Sequence, residues 1–134
     1  MTIVLDASTA LAAVLPDEAS PFAEAAVEAG LRQGLIAPAL WPYEVQNGLL
    51  VALKRKRIDD EGLKHALEVL RSFAPDLRPA QGLGVELRLG EKHELSTYDA
   101  AYVAVAIAND AALATTNRRL RAAAKAAGVR LFKE

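Results

Sequence analysis

Short apolar segments that alternate with longer helical segments constrain the fold of this chain more than any other feature. The first is Ile3-Val4-Leu5, a run rich in β-branched residues that stops abruptly at Asp6. Such a run is typical of a strand that is buried on both faces of a parallel sheet. Strands that alternate with helices predict an α/β fold with a mostly parallel central sheet. Further short strands are predicted at 35–37, 77–79, 112–116 and 129–132.

Proline, glycine and small polar residues mark where the predicted helices begin and end. Pro16 ends a first helix predicted over 7–15, and Pro21 suits the first turn of the next. Ser96 or Thr97 caps a later helix that extends to about Asn109. This helix is apolar almost all round, so we expect it in the interior. Other helices are predicted from 21 to about 30 or 34, from 42, from 59 to 73, over 80–90 and over 118–127.

Length and composition limit the classes of protein to consider. The 134 residues predict a single domain over 1–134, long enough to bury a core, and 52% hydrophobic residues exclude a mainly disordered chain. The absence of cysteine excludes disulfides, iron–sulfur clusters and thiol catalysis, and two histidines are too few for a convincing zinc site. With no apolar run long enough to span a bilayer and no signal-peptide pattern, we expect a cytoplasmic protein without membrane contact.

Four polar side chains fall at strand ends or helix starts. Asp6 follows the first strand, Glu44 and Asp99 lie in the first turns of two helices, and Asn117 follows the strand at 112–116. In an α/β fold, the carboxyl ends of the strands and the starts of the following helices meet at one edge of the sheet. We therefore expect these four residues to converge on one pocket.

Each of these residues also has a structural explanation. An acid in the first turn complements the helix dipole, Ser96 with Asp99 resembles a capping box, and asparagine is a common turn residue. Taken singly, these explanations are favoured. Asp6 is harder to explain, because a partly buried carboxylate after three apolar residues needs a partner or a metal ion.

Three carboxylates brought together repel one another until a cation neutralises them. Mg²⁺ prefers oxygen ligands, and a ligand set without His or Cys favours Mg²⁺ or Mn²⁺ over zinc. A metal in such a site lowers the pKa of a bound water and stabilises charge in the transition state. Phosphodiester hydrolysis is the reaction that this chemistry suits.

The order and spacing of four segments match one known family over essentially the whole chain. These segments are 3–8, 42–47, 96–106 and 113–120, and the third is the most specific. With them the chain resembles the PIN-domain ribonucleases, and most closely the VapC-type toxins of toxin–antitoxin pairs. The resemblance implies a PIN-like three-layer α/β/α sandwich. It also implies an endoribonuclease toxin that a cognate antitoxin neutralises.

The resemblance assigns roles to residues of the predicted pocket. Asp6, Glu44 and Asp99 would form the acidic cluster that holds Mg²⁺ or Mn²⁺, with Asp6 and Asp99 as the direct ligands. Thr115 matches a small hydroxyl residue that supports the site, and Ser8 is expected to hydrogen-bond Asp6.

Position 117 departs from the pattern, because the family usually has an aspartate where this chain has Asn117. Asparagine offers a neutral carbonyl ligand and no negative charge. The departure leaves open whether one or two metal ions bind. It also leaves open an alternative, in which the chain is a non-catalytic PIN-like module that binds RNA or protein.

Basic residues are the candidates for RNA contact. The run from Lys54 through Arg55 to Arg57 ends a predicted helix, where positive charge also complements the helix dipole. Four basic residues in a row exceed what the dipole needs, so we expect Lys54 and Arg55 to contact phosphates. Arg118 and Arg119 directly follow Asn117, and one of them is expected to face the substrate backbone. With a net charge of −1, RNA binding would depend on such local patches and weaken with salt.

The predicted helices at 23–31 and 45–53 carry more apolar surface than a solvent-exposed helix needs. Core packing is the structural explanation. The resemblance implies that part of this surface is a groove for a helix of a VapB-like antitoxin, and part a homodimer face. Transfer RNA or ribosomal RNA as the substrate is likewise implied by the resemblance alone.

Overall fold

A computed structural model of the chain describes residues 1–133 and shows a four-stranded sheet in the order β3-β2-β1-β4. All three strand pairs are parallel, and Ile3 lies opposite both Leu35 and Ala112. The α/β class and the parallel sheet predicted from the sequence are thereby confirmed. The strands are β1 (Ile3–Leu5), β2 (Leu35–Pro38), β3 (Asp76–Arg78) and β4 (Ala112–Ala114).

Helices flank this sheet. Every residue of β1 and of β4 is buried, and because successive side chains of a strand point to opposite faces, both faces of the sheet are covered. This arrangement is consistent with the predicted three-layer α/β/α sandwich. The helices are α1 (Ala7–Val14), α2 (Pro21–Gln33), α3 (Trp41–Lys54), α4 (Asp60–Phe73), α5 (Val85–His93), α6 (Thr97–Ala108) and α7 (Arg118–Ala126), with a 3₁₀ turn at Pro16–Glu18.

Capping side chains fix the starts of several helices. Ser20 Oγ accepts a hydrogen bond from the Ala23 N–H at 3.2 Å, and Pro21 occupies the first turn of α2. Asp59 Oδ1 accepts from the Gly62 N–H at 2.8 Å at the start of α4. These contacts satisfy backbone donors that the helix cannot satisfy itself. They explain why the helix starts predicted near 20 and 59 agree with the structure.

Two predicted elements differ from the structure. The helix predicted over 80–90 begins only at Val85, because Gly82 and Gly84 adopt φ values of 105° and 110°, a left-handed conformation that interrupts a right-handed helix. The strand predicted over 129–132 is reduced to a single parallel bridge between Leu113 and Leu131. The prediction of a full last strand was therefore wrong. Among the described residues, only Leu113 of the edge strand β4 exchanges backbone hydrogen bonds with this segment, donating to the Arg130 carbonyl and accepting from the Phe132 N–H, both at 2.9 Å.

Helix α6 lies in the interior, as its apolar sequence predicts. Tyr102, Val103 and Val105 are all buried, and the helix packs against β1, β2 and β4. It therefore carries its first turn to the carboxyl edge of the sheet. Across residues 1–133, no helix combines the length and the hydrophobicity that crossing a membrane requires.

Candidate active site

Asp6 lies between β1 and α1 and is only 5% exposed. Its Oδ1 accepts a hydrogen bond from the Thr9 N–H at 2.8 Å, so the residue also caps α1. Ser8 Oγ lies 3.1 Å from Oδ1 and 3.0 Å from Oδ2 and donates to the carboxylate, as the resemblance implied. The buried carboxylate is thus held in one orientation.

Thr115 ties the end of β4 to the end of β1. Its side chain is fully buried, and Oγ1 donates a short hydrogen bond to Asp6 Oδ2. The same Oγ1 accepts from the Asn117 N–H at 3.1 Å. Thr9 Oγ1 adds a bond to the Ala114 carbonyl at 3.3 Å. Residues more than a hundred positions apart in the chain therefore fix one carboxylate.

Glu44 lies in the first turn of α3 and is half-buried. The hydroxyl of Tyr102 donates to Glu44 Oε1 at 2.6 Å. We did not predict a role for Tyr102 from the sequence. A signal was present, because residues three apart lie on the same face of a helix, and Tyr102 follows Asp99 by three positions on α6.

The three acids influence one another electrostatically. Burial raises the pKa of Glu44 most, the Tyr102 hydrogen bond opposes this shift, and the charges of Asp99 and Asp6 raise the pKa further. Burial also raises the pKa of Asp99, and Asp6 adds to the rise, whereas Arg119 lowers it. The structure therefore brings Asp6, Glu44 and Asp99 to one edge of the sheet as a single cluster of negative charge.

The donor set of this cluster suits a hard cation. The side-chain atoms of the three acids that could bind a cation are all carboxylate oxygens, which Mg²⁺ and Mn²⁺ prefer. Within residues 1–133, no three His, Cys, Asp or Glu side chains lie together as a ready-made metal-ligand set. The cluster is thus looser than three acids gathered around one ion. It fits an ion that takes one or two protein carboxylates and keeps several waters, as Mg²⁺ commonly does.

Asn117 has a structural task at the start of α7. Its Oδ1 accepts a hydrogen bond from the Leu120 N–H at 3.0 Å, which caps the helix. The side chain is exposed, and its carbonyl oxygen is directed to the cap. On the same helix, Arg121 Nη1 donates to the Thr115 carbonyl at 3.0 Å and thereby steadies the residue that holds Asp6.

The basic residues separate into two groups. Of the two arginines that follow Asn117, Arg119 lies near enough to lower the pKa of Asp99. Lys54 and Arg55 lie at the opposite end of α3, and ten residues of helix place Lys54 about 15 Å from Glu44. Arg57, the last residue of the basic run, pairs with Asp17 at 2.7 Å. The structure thus brings Arg119, and neither Lys54 nor Arg55, to the acidic cluster.

Comparisons with known proteins point to one family. The model of the family described as PIN domain matches residues 3–126. Over 123 residues the chain is 36% identical to Ribonuclease VapC3 of Pyrobaculum aerophilum, covering 90% of this chain and 92% of that protein. It is 38% identical to VapC ribonuclease Mb0985 of Mycobacterium bovis, covering 88% and 87%. The crystal structure of PAE2754 from Pyrobaculum aerophilum superposes with a TM-score of 0.71 at 28% identity, over 92% of this chain and 79% of that one.

Proposed function

The chain belongs to the PIN domain family, and on this premise we propose that it is a metal-dependent endoribonuclease toxin that hydrolyses phosphodiester bonds in RNA. One observation carries the proposal: Asp6, Glu44 and Asp99 share one edge of the sheet and act on one another electrostatically. The ribonuclease names of relatives that are 36% and 38% identical over most of the chain support it.

We assign Asp6 and Asp99 as the side chains that would hold Mg²⁺ or Mn²⁺. Such an ion, when bound, supplies a water of lowered pKa and stabilises negative charge on the phosphate. Ser8, Thr115 and the Thr9 N–H keep the Asp6 carboxylate in one orientation, so little reorganisation accompanies the reaction.

Glu44 and Arg119 complete the proposed chemistry. Oε1 of Glu44 is occupied by the Tyr102 hydroxyl, and Oε2 remains to accept a proton from an attacking water. Arg119 offsets the repulsion between the acidic cluster and an approaching phosphodiester, since it already lies within electrostatic reach of Asp99. Lys54 and Arg55 would contact an RNA long enough to extend along α3, such as transfer RNA or ribosomal RNA.

A VapB-like antitoxin is the partner we propose, acting in the cytoplasm with its toxin. A cleft of about 230 Å³ between α3 and α4 is lined by the apolar side chains of Val45, Leu67 and Leu70, which suits an amphipathic segment. Leu31 on α2 and Leu50 on α3 also stay exposed. These two side chains are candidates for the homodimer face.

The decisive experiment measures cleavage of a fluorogenic RNA with and without Mg²⁺. Asp99→Asn preserves shape but removes a charge, so we expect it to abolish both RNA cleavage and growth arrest. Asp110→Asn is the matched control, because Asp110 lies exposed just after α6 and pairs with Arg130 instead of the cluster. If Asp99→Asn cleaves RNA as fast as the unaltered protein, the site assignment is wrong.

A second function is favoured by one observation. Asn117 is neutral where the family usually has an acid, and its carbonyl caps α7. A PIN-like module that binds RNA or protein without cleaving it would show the same features. Titration of Mg²⁺ and Mn²⁺ with labelled RNA separates the two functions, because such a module binds RNA without turnover at every metal concentration.

A further inference from the structure

A cavity of about 260 Å³ opens at the carboxyl edge of the sheet. It lies where β2 and β3 end and where α6 begins. This volume is slightly below the roughly 300 Å³ at which pockets for drug-sized ligands begin. The cavity therefore suits one small flat group better than a large ligand. Its walls include Pro38, Leu40, Pro79, Glu86, Tyr98 and Ala101.

None of the three acids lines this cavity, but one residue next to Asp99 in the chain does. Tyr98 directly precedes Asp99, so their Cα atoms are about 3.8 Å apart. Leu40, which also lines the cavity, accepts a hydrogen bond at its carbonyl from the Glu44 N–H at 3.2 Å. A base bound in this cavity would therefore contact residues that adjoin Asp99 and Glu44 in the structure.

The lining has the chemistry of a nucleobase site. Tyr98 is 65% exposed and offers an aromatic face, on which any base can stack. Pro38 and Pro79 contribute apolar surface and no N–H donor. Besides Tyr98, the lining holds two polar side chains, Thr97 and the charged Glu86.

Glu86, the charged side chain of this lining, lies in the first turn of α5. A carboxylate accepts hydrogen bonds and donates none when ionised. Glu86 Oε2 accepts one bond from the Gln81 N–H at 3.1 Å, which fixes the side chain against the loop before α5. Each oxygen retains a free lone pair, so the group presents two adjacent acceptors. Guanine presents two adjacent N–H donors, N1–H and the 2-amino group, whereas the one ring N–H of uracil is flanked by two carbonyls.

We propose that this cavity is a nucleobase subsite that selects guanine next to the cleaved phosphodiester. Tyr98 stacks on the base, and Glu86 accepts the hydrogens of N1 and of the 2-amino group. The identification of RNA as the ligand rests on the proposed nuclease function. The selection of guanine rests on the lining alone.

The cleavage test uses a fluorogenic uridine-rich RNA with one variable base, either guanine or inosine, which lacks the 2-amino group. We expect kcat/KM to be about tenfold higher for the guanine RNA than for the inosine RNA. This factor is near the lower end of the discrimination that a bidentate hydrogen-bonded contact to a base provides. Glu86→Gln should reduce this ratio to within about twofold. Glu91→Gln is the matched control, since Glu91 lies on the same helix in an exposed pair with Arg88. It should keep the tenfold ratio.

A binding test without metal keeps the subsite separate from the chemistry. Guanosine 5′-monophosphate, added in EDTA, should shift the amide resonances of Ala80, Glu86 and Tyr98, and uridine 5′-monophosphate should not. Cleavage without base preference, together with unshifted amides, would overturn the subsite and leave the nuclease proposal standing. Shifted amides in a protein that cleaves no RNA would support the subsite and overturn the nuclease proposal.

Discussion

At the scale of single residues, the hydrogen bond from Tyr102 to Glu44 is the contact with the clearest functional consequence. It favours the ionised form of Glu44 and so opposes the rise in pKa that burial causes. Burial and the neighbouring Glu44 raise the pKa of Tyr102 well above its ordinary value, so this residue stays a proton donor. One buried hydroxyl thereby limits the rise in pKa of the carboxylate to which we assign proton transfer.

Tyr102→Phe tests this consequence, because it keeps the ring and removes the donor. Without the bond, the pKa of Glu44 rises further, so the ionised form appears only at higher pH. We expect the acidic limb of the pH–rate profile to move to higher pH. Tyr43→Phe, on the exposed side of α3, is the control and should leave the profile in place. Superimposable profiles for Tyr102→Phe and the unaltered protein would contradict the assigned role of Glu44.

Asn117 offers a second test at this scale. In Asn117→Asp, one carboxylate oxygen can keep the cap on the Leu120 N–H while the other adds negative charge to the cluster. We expect half-maximal cleavage at a lower Mg²⁺ concentration. Asn117→Ala removes the cap, so it should lower the free energy of unfolding by about 1 kcal/mol. It should not lower the Mg²⁺ concentration needed for half-maximal cleavage. An unchanged Mg²⁺ requirement in Asn117→Asp would place residue 117 outside the metal site.

At the scale of elements, the junction between α5 and α6 determines where Asp99 lies. The Leu95 N–H donates to the Gly90 carbonyl at 3.0 Å, so a tight turn connects α5 to α6. A Cβ at position 90 would lie 2.7 Å from the Leu95 carbonyl oxygen. Glycine is needed here because backbone, which cannot rotate away, occupies the space.

Gly90→Ala should therefore destabilise the protein, although alanine is the better helix former by about 1 kcal/mol. Overpacking of this kind commonly lowers the free energy of unfolding by about 1–3 kcal/mol. We expect a lower urea midpoint and also slower cleavage, because the start of α6 must shift. Arg88→Ala, an exposed change on the same helix, should alter neither quantity by much. A Gly90→Ala variant as stable and as active as the unaltered protein would show that the junction accommodates the added methyl group without a loss of stability.

At the scale of the whole molecule, the acidic cluster makes the stability of the fold depend on pH and, on the proposed function, on metal binding. The pKa values of Glu44 and Asp99 are raised from ordinary values of 4.5 and 3.8. The folded state therefore binds protons more tightly than the unfolded state at these two residues. Their contribution to stability is present at acid pH and is lost as pH rises above about 4 toward neutrality.

In EDTA, raising the pH from 4 to 7 should lower the free energy of unfolding of the unaltered protein more than that of the double variant Glu44→Gln with Asp99→Asn. The difference in Tm between the two proteins, measured from pH 4 to 7, reports this effect alone. Adding Mg²⁺ at pH 7 should raise the Tm of the unaltered protein and not that of the double variant, because the ion binds the folded state. A Tm difference that is independent of pH would contradict the electrostatic coupling.

From β1 to α7, the sequence by itself determined the order in which strands and helices follow one another along the chain, and the edge of the sheet at which the polar residues lie. Both follow from local patterns, since apolar runs, caps and prolines act within a few residues, and parallel strands must end at a common edge. The interior position of α6 followed equally from its composition.

Only the tertiary structure decided which groups touch. It paired Tyr102 with Glu44 and Thr115 with Asp6, placed Arg119 near Asp99, and left the three acids looser than a ready-made metal-ligand set. It also reduced the last strand to one bridge. Distances between segments depend on how whole elements pack against one another, and no local pattern encodes an arrangement that residues a hundred positions apart create together.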